Sequence, residues 1–398
     1  MAHPTRRLVI QRAAATVGAM SVAPQLLAQS APVRVGYAMA RTGPWTGGAQ
    51  TSQEPNYLLW AEQQNAAGGL DVKGVRRKIE LISSDDRSDV ETCVRTYQKL
   101  MASDKVDLVL APWGSNANFA VAPLANRLGY PFLAPTALSK RLIEMKLPYF
   151  FLMLQQPAPM TNALVDMLKA NGCKTLACIY VDDLFGLENY AALKVALQGS
   201  GIQMVEDKSY PGGVKDLSPV LRSIKDKNPD AFVGFTYPPD TILASKQAKE
   251  VGFNPKFFYA SVGTAFPLYK NVMTPAGAEG VLGMGSWNGK TSAGAKAYFD
   301  AHVASQKKEP DRWASGACWA SLEILTNAVK QVGLERKAIR DYVAGTTHKT
   351  ILGDIKFTGS ENVGTPGTVS QWQNGEFEVV WPQQVATAKL NPAKPAWK

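Results

Sequence analysis

Histidine is nearly missing from this chain of 398 residues: only His3, His302 and His348 occur. None stands at a spacing that pairs metal ligands, and HExxH, GxSxG and P-loop patterns are absent, so the common routes to hydrolysis and nucleotide chemistry have no residues to run on. Cysteine is also scarce. Cys93, Cys173, Cys178 and Cys318 form no CxxC pair, which removes zinc knuckles and redox dithiols. Cys178 sits in the apolar run Leu176-Ala177-Cys178-Ile179-Tyr180, where a thiol behaves as a small hydrophobe; a Cys173–Cys178 bridge stays open at this point. Beyond residue 30 no uncharged apolar run approaches the roughly 20 residues of a membrane span. With 45% hydrophobic and 19% charged residues, the composition is that of a folded globular protein.

What is present begins at the amino terminus. Thr5-Arg6-Arg7 and Arg12 precede an uncharged, Ala-rich stretch over 13–28, which ends in small residues at Ala28 and Ser30. Charged start, apolar middle and small-residue end predict an export signal over 1–30, and the paired arginines point to the twin-arginine route. The mature chain is therefore expected to work in the periplasm. No cysteine closes the signal, so no lipid anchor is expected there. Losing three arginines and no acid lowers the net charge from +10 to +7. The lysines are scattered, which reads as a solvated surface and not as a nucleic-acid footprint.

Short β-type runs then alternate with helical stretches. Strands are predicted at 33–38, 78–82, 106–111 and 131–134, with helices at 52–67, 90–101 and 116–128 between them. Strand–helix–strand at this spacing means right-handed crossovers and parallel sheets. The pattern restarts at Thr175, with strands at 175–181, 203–205, 231–236 and 257–262. Two successive α/β units of similar size imply two similar lobes. Helices at 293–306, 314–332 and 338–343 follow, then β runs at 355–357, 368–373 and 377–380. Asn374-Gly375 is the strongest hairpin signal in the chain. The Pro-containing end, 386–398, reads as a tail that is either a surface strap or frayed.

One strand end carries more chemistry than the rest. Pro112-Trp113-Gly114-Ser115-Asn116 leads straight into a helix, with Ser115 read as its N-cap. Free N–H groups at a helix start attract a carboxylate through the dipole and by direct hydrogen bonds. The next strand ends in Pro135-Thr136-Ala137-Leu138-Ser139, a second hydroxyl-bearing tip. Both tips are carboxyl ends of parallel strands, where α/β sheets bind ligands. Asp85-Asp86 and Asp182-Asp183 also end strands, but adjacent strand residues point to opposite faces, so neither doublet is by itself a catalytic dyad.

At these residues the chain resembles the periplasmic binding proteins of branched-chain amino acid ABC importers, the leucine/isoleucine/valine-binding type. The likeness runs through Thr42-Gly43-Pro44, Asn65-Ala66-Ala67-Gly68-Gly69-Leu70, Ile79-Glu80-Leu81 and Pro135-Thr136 to Asp182-Asp183-Leu184-Phe185-Gly186, Asn228-Pro229-Asp230-Ala231 and Glu279-Gly280-Val281. It implies an α/β, type I periplasmic binding protein fold: two Rossmann-like lobes with parallel sheets, joined by three hinge crossings as a Venus flytrap. The crossings are expected near 148–154, 275–285 and 353–358. Residues 31–150 with 280–353 would form one lobe, and 151–279 with 354–385 the other. The resemblance further implies a monomer without cofactor or metal, a non-enzyme that hands a small carboxylate ligand to membrane permease subunits. Ser115, Asn116, Thr136 and Ala137 would hold the ligand carboxylate, Phe185 and Tyr237 would close from the second lobe, and Trp45 would wall the pocket.

Departures from the family pattern shape the expected ligand. Phe185 stands where a tyrosine is frequent. A disulfide common in the family would join positions near Ser88 and Trp113, and this chain lacks it. Amino-acid binders place an acid after the strand that here ends in Ser261-Val262-Gly263-Thr264, so an unpaired ammonium would be costly. The expected cargo is therefore a hydrophobic amino acid or, better, an aromatic acid without an α-amine, with Trp113, Trp287 and Gly263 near it and Arg41 as a second anchor. Two alternatives of other classes are a ligand sensor built on the same lobes and a secreted hydrolase.

Overall fold

A computed structural model describes residues 31–397. The expected export signal lies outside the described residues.

The first half of the chain builds two small sheets with parallel pairing, besides the antiparallel hairpin Leu70–Val72 with Val75–Arg77. Val33–Met39 lies at the centre of one, parallel to Ile79–Asp85 on one side and to Leu108–Val109 on the other. Phe132–Ala134 and Phe150–Leu152 pair in parallel in the next. The second half builds a seven-stranded sheet. Gln203–Tyr210, Thr175–Val181, Ala231–Phe235, Phe257–Ala260 and Leu282–Gly283 run parallel in that spatial order. Every residue of Ala231–Phe235 is buried, as a parallel strand covered by helices on both faces requires. Val369–Gln373 and Glu376–Trp381 add an antiparallel hairpin at the edge. Its two-residue turn, Asn374-Gly375, has positive φ at both positions (51° and 81°), the geometry of a type I′ turn.

The chain passes between the halves three times, and pairing places the passages differently from the expectation. Phe150–Leu152 still belongs with Phe132–Ala134, so the first passage follows it. Leu282–Gly283 pairs with Tyr259 and with Ser370 and Gln371, so it is part of the second sheet and not of the first lobe. Phe357–Thr358 and Glu361–Asn362 pair with each other and, through Glu361, with Leu152 in the first half. The third passage therefore lies between Asn362 and Val369. Short β runs near a hinge carry no sequence signal for which sheet they join, and this is why the boundaries moved.

The helices Ala293–Gln306 and Ala314–Val332 return to the first half, packing on Glu54–Ala66. Trp60 Nε1 donates to Thr326 Oγ1 at 2.8 Å across that contact. The tail is a strap: Trp397 Nε1 donates to the Phe253 carbonyl at 2.7 Å and its ring meets Phe258 edge-on. All four cysteines are free and buried, so Cys173 and Cys178 are not bridged. Among the described residues no helix is long and apolar enough to cross a membrane.

Candidate functional site

The helix Ser115–Arg127 follows directly from a strand tip, and the turn that starts it needs glycine. Gly114 is the N-cap, with φ 89° and ψ 157°, a conformation closed to residues with a Cβ. Ser115, expected as the cap, is instead the first helical residue. Its hydroxyl accepts from Leu138 N–H and donates to Leu138 C=O, both at 3.0 Å. Thr136 Oγ1 accepts from Gly114 N–H at 3.1 Å and donates to Gln53 Oε1 at 2.9 Å. These two hydroxyls tie the neighbouring strand tips to each other. The first-turn N–H groups of the helix have no partner within it, and no side chain of Gly114 caps them. Ala137 is buried between the tips, and its carbonyl receives Gln156 Nε2 at 3.4 Å.

Asn116, in that first turn, lines a cavity of about 620 Å³ between the two halves. Trp45 and the Gly43-Pro44 turn form the wall on its own side. Asp85 organises that turn, accepting from Arg41 N–H, Thr42 Oγ1 and Arg87 N–H. From the other half come Asp183, Tyr237, Asp240 and the loop Gly212–Lys215. Asp183 Oδ1 caps the helix Leu184–Leu197 through Gly186 N–H at 3.0 Å. Its Oδ2 receives Tyr237 OH at 2.7 Å and Asn116 Nδ2 at 3.2 Å. That last bond joins the halves directly. The Tyr237 phenol is held well above its ordinary pKa, by burial first and then by the Asp183 charge.

Aromatic rings stack behind this wall. Phe185 lies on Tyr237 with centroids 5.2 Å apart, and Trp113 meets Tyr237 at 5.5 Å. Trp113 is seated by a close approach: a Cβ on Gly48 would fall 2.1 Å from its indole. Its Nε1 donates to Ser52 Oγ at 3.1 Å. Burial raises the Asp240 carboxyl to about 6 despite a hydrogen bond from Tyr210 OH.

Of the expected contributors, Trp45, Asn116 and Tyr237 line the cavity, Ser115, Thr136, Ala137, Phe185 and Trp113 are buried and outside its lining, and three sit elsewhere. Arg41 does not reach the cavity: its guanidinium is bound to Glu54 Oε1 through Nε (2.9 Å) and Nη2 (2.5 Å), and its Nη2 also donates to Ser83 Oγ. Trp287 is fully buried in a separate cluster with Tyr298 and Ala295, its ring against Gly316. Gly263 is buried beside Thr241 and Pro238, where a Cβ would collide at 2.6 Å; it permits close packing and lines nothing. Conversely, Asp183, Asp240 and Lys215 line the cavity and were not among the expected site residues. The glycine pair after the strand Gln203–Tyr210 was the available signal for Lys215, since it marks a loop at a strand's carboxyl end.

The family model described as "Periplasmic binding protein" matches residues 32–376. The chain belongs to the periplasmic binding proteins. This binding protein is 22% identical to Leu/Ile/Val-binding protein homolog 7 of Brucella suis biovar 1, over 94% of its own length and 98% of that relative's. Among solved structures it is similar to the branched-chain amino acid transporter substrate-binding protein LivJ of Streptococcus pneumoniae in complex with isoleucine (TM-score 0.78, 21% identity, 88% of this chain and 100% of that one). It is also similar to an ABC transporter solute-binding protein of R. palustris in complex with benzoate (TM-score 0.77, 18% identity, 91% and 99%). The binding protein has the type I periplasmic binding fold, and its relatives are solute-binding proteins.

Proposed function

We propose that this binding protein captures a small aromatic carboxylate between its two halves, outside the cytoplasm, and delivers it to the membrane permease of an ABC importer. The observation that carries the reading is one cavity with two complementary walls. Asn116, in the first turn of an uncapped helix, lines it from the first half, and Tyr237, backed by the buried Phe185 ring, lines it from the second. The helix start suits a carboxylate and the rings suit a flat apolar body. A solute that touches both walls binds only the shut form, and this differential affinity drives closure.

Asp183 decides between ligand classes. Its oxygens already accept from Gly186, Asn116 and Tyr237, so the carboxylate is satisfied without a ligand ammonium. That favours an acid lacking an α-amine. The presence of Asp183 in the cavity also supports a second reading, a hydrophobic amino acid whose ammonium takes a share of that carboxylate. Calorimetric titration with benzoate, phenylacetate, leucine and phenylalanine tests both. The proposal expects benzoate-type acids to saturate one site per chain and Asp183→Asn to weaken that binding by no more than about tenfold, the share of its bond to Asn116. Saturation by leucine alone, lost in Asp183→Asn, would establish the second reading instead.

A further inference from the structure

A second cavity, of about 630 Å³, is built on the passages between the halves. Each passage contributes to its wall: Gln155 from the first, Ser286 and Lys290 from the second, Thr365 and Thr368 from the third. The turn 350–353 and the segment 384–387 close it. It shares no residue with the Trp45–Tyr237 cavity.

Its chemistry differs as well. The lining holds seven Ser and Thr hydroxyls, two glutamines and one lysine, and no acid. Several hydroxyl protons are committed within the protein: Thr291 donates to Asn288 C=O, Thr350 to Gly353 C=O and Thr368 to Gly285 C=O. Their oxygens keep free lone pairs, which accept from a ligand's own hydroxyls. Lys290 is the charged member. Its ammonium is bonded to Glu378, but Glu378 also receives Asn288 Nδ2 at 2.9 Å and Thr387 Oγ1 at 2.6 Å. Glu378 therefore keeps two donors if Lys290 turns to an incoming anion. Ser292, also in the lining, caps the 14-residue helix Ala293–Gln306, whose positive end lies at the same wall.

From this we infer a second ligand site, on the hinge, for a small polyhydroxylated carboxylate. Rotation of the halves changes backbone dihedrals in the three passages, so the cavity has different shapes in the open and shut forms. The halves touch through Asn116 and Asp183 in this structure, so the cavity described belongs to the shut form. A ligand that fits it stabilises closure and tightens binding in the cleft, and the reverse holds equally. This coupling, though not the hinge site itself, rests on the closing motion proposed above.

Gluconate is the probe. Titrated into the full chain alone, it should bind once per chain, and it should still bind when benzoate is saturating. Lys290→Ala should weaken it roughly tenfold, as loss of a charge-assisted contact does. Ala386→Phe, which fills the cavity from its rim, should abolish it; unchanged circular dichroism and melting would show that both variants fold. Gluconate should in turn tighten benzoate roughly threefold or more. No gluconate binding up to about 10 mM, displacement by benzoate, or wild-type affinity in both variants would overturn the site. Hinge binding that leaves benzoate affinity unchanged would overturn the coupling alone. Failure of benzoate to bind would count against the cleft reading and leave the gluconate result to stand by itself.

Discussion

The hydrogen bond from Asn116 to Asp183 joins the two halves, so removing it should weaken ligand capture without loosening either half. A hydrogen bond to a charged group contributes about 1.5–3 kcal/mol net. At 3.2 Å this one is long, and the low end, about 1.5 kcal/mol, is appropriate. If the bond exists only when the halves are shut, Asn116→Ala should cost about tenfold in affinity. The partner needs care, because Asp183 also caps the helix Leu184–Leu197. Asp183→Ser keeps a capping oxygen while removing the reach to Asn116. The cap is present in both open and shut forms, so any residual loss there cancels in the binding equilibrium. A double-mutant cycle read by calorimetry with benzoate should give a coupling of about 1 kcal/mol. Strictly additive single effects, with coupling below about 0.3 kcal/mol, would refute the clasp.

Gly48→Ala should drive the Trp113 indole off its seat, because the added methyl would fall 2.1 Å from the ring. Near-UV circular dichroism should change and benzoate affinity fall about tenfold, since overpacking of this kind costs about 1–3 kcal/mol. Trp287→Phe should lower stability by about 1–3 kcal/mol while leaving affinity within about twofold, because the ring is buried in the Tyr298 cluster and not in the cavity. A large affinity loss with unchanged melting would return Trp287 to the site. Asp240 makes a pH prediction. Its carboxyl, raised to about 6 by burial, binds a proton more tightly in the native than in the unfolded chain. Stability from this group is therefore present at pH 4 and is lost as pH rises to 6. Asp240→Asn should gain up to about 2 kcal/mol at pH 7 and melt with a flatter profile between pH 4 and 6 than the wild type. An unchanged profile would show that Asp240 does not carry this slope.

The regular elements were the most legible part of the sequence. Periodicity placed helices at 293–306 and 314–332, and the structure has Ala293–Gln306 and Ala314–Val332. The helix Pro157–Ala170 escaped because Pro157-Ala158-Pro159 reads as a loop, although proline is tolerated in a first helical turn. The strand expected over 106–111 is regular only at Leu108–Val109, although Asp107 and Leu110 N–H still donate to the Arg34 and Gly36 carbonyls of the central strand. At the site, strand tips could be read from parallel topology, but pairing partners could not. Arg41 looked free because its partner, Glu54, lies thirteen residues on, in the helix Glu54–Ala66. The doublet Asp182-Asp183 announced a strand end; which carboxylate turns inward depends on Asp183 capping the following helix.

The contacts between the halves also limit how the protein discriminates ligands. Trp113 comes from a first-half strand tip and Tyr237 from a second-half one, so their ring contact is a second link across the cavity. A ring pair contributes about 0.5–1.5 kcal/mol and the Asn116–Asp183 bond about 1.5 kcal/mol. Together these links bias the chain toward closure by about 2–3 kcal/mol before hinge strain and desolvation oppose them. A ligand then needs to add only a few kcal/mol of differential contact to complete the shift, which in the proposed function comes from the helix start and the ring stack. Strengthening the protein's own links would shut the cleft without cargo and erase that dependence. The long 3.2 Å bond and the tilted 54° ring contact are thus suited to a binding protein whose cleft must reopen.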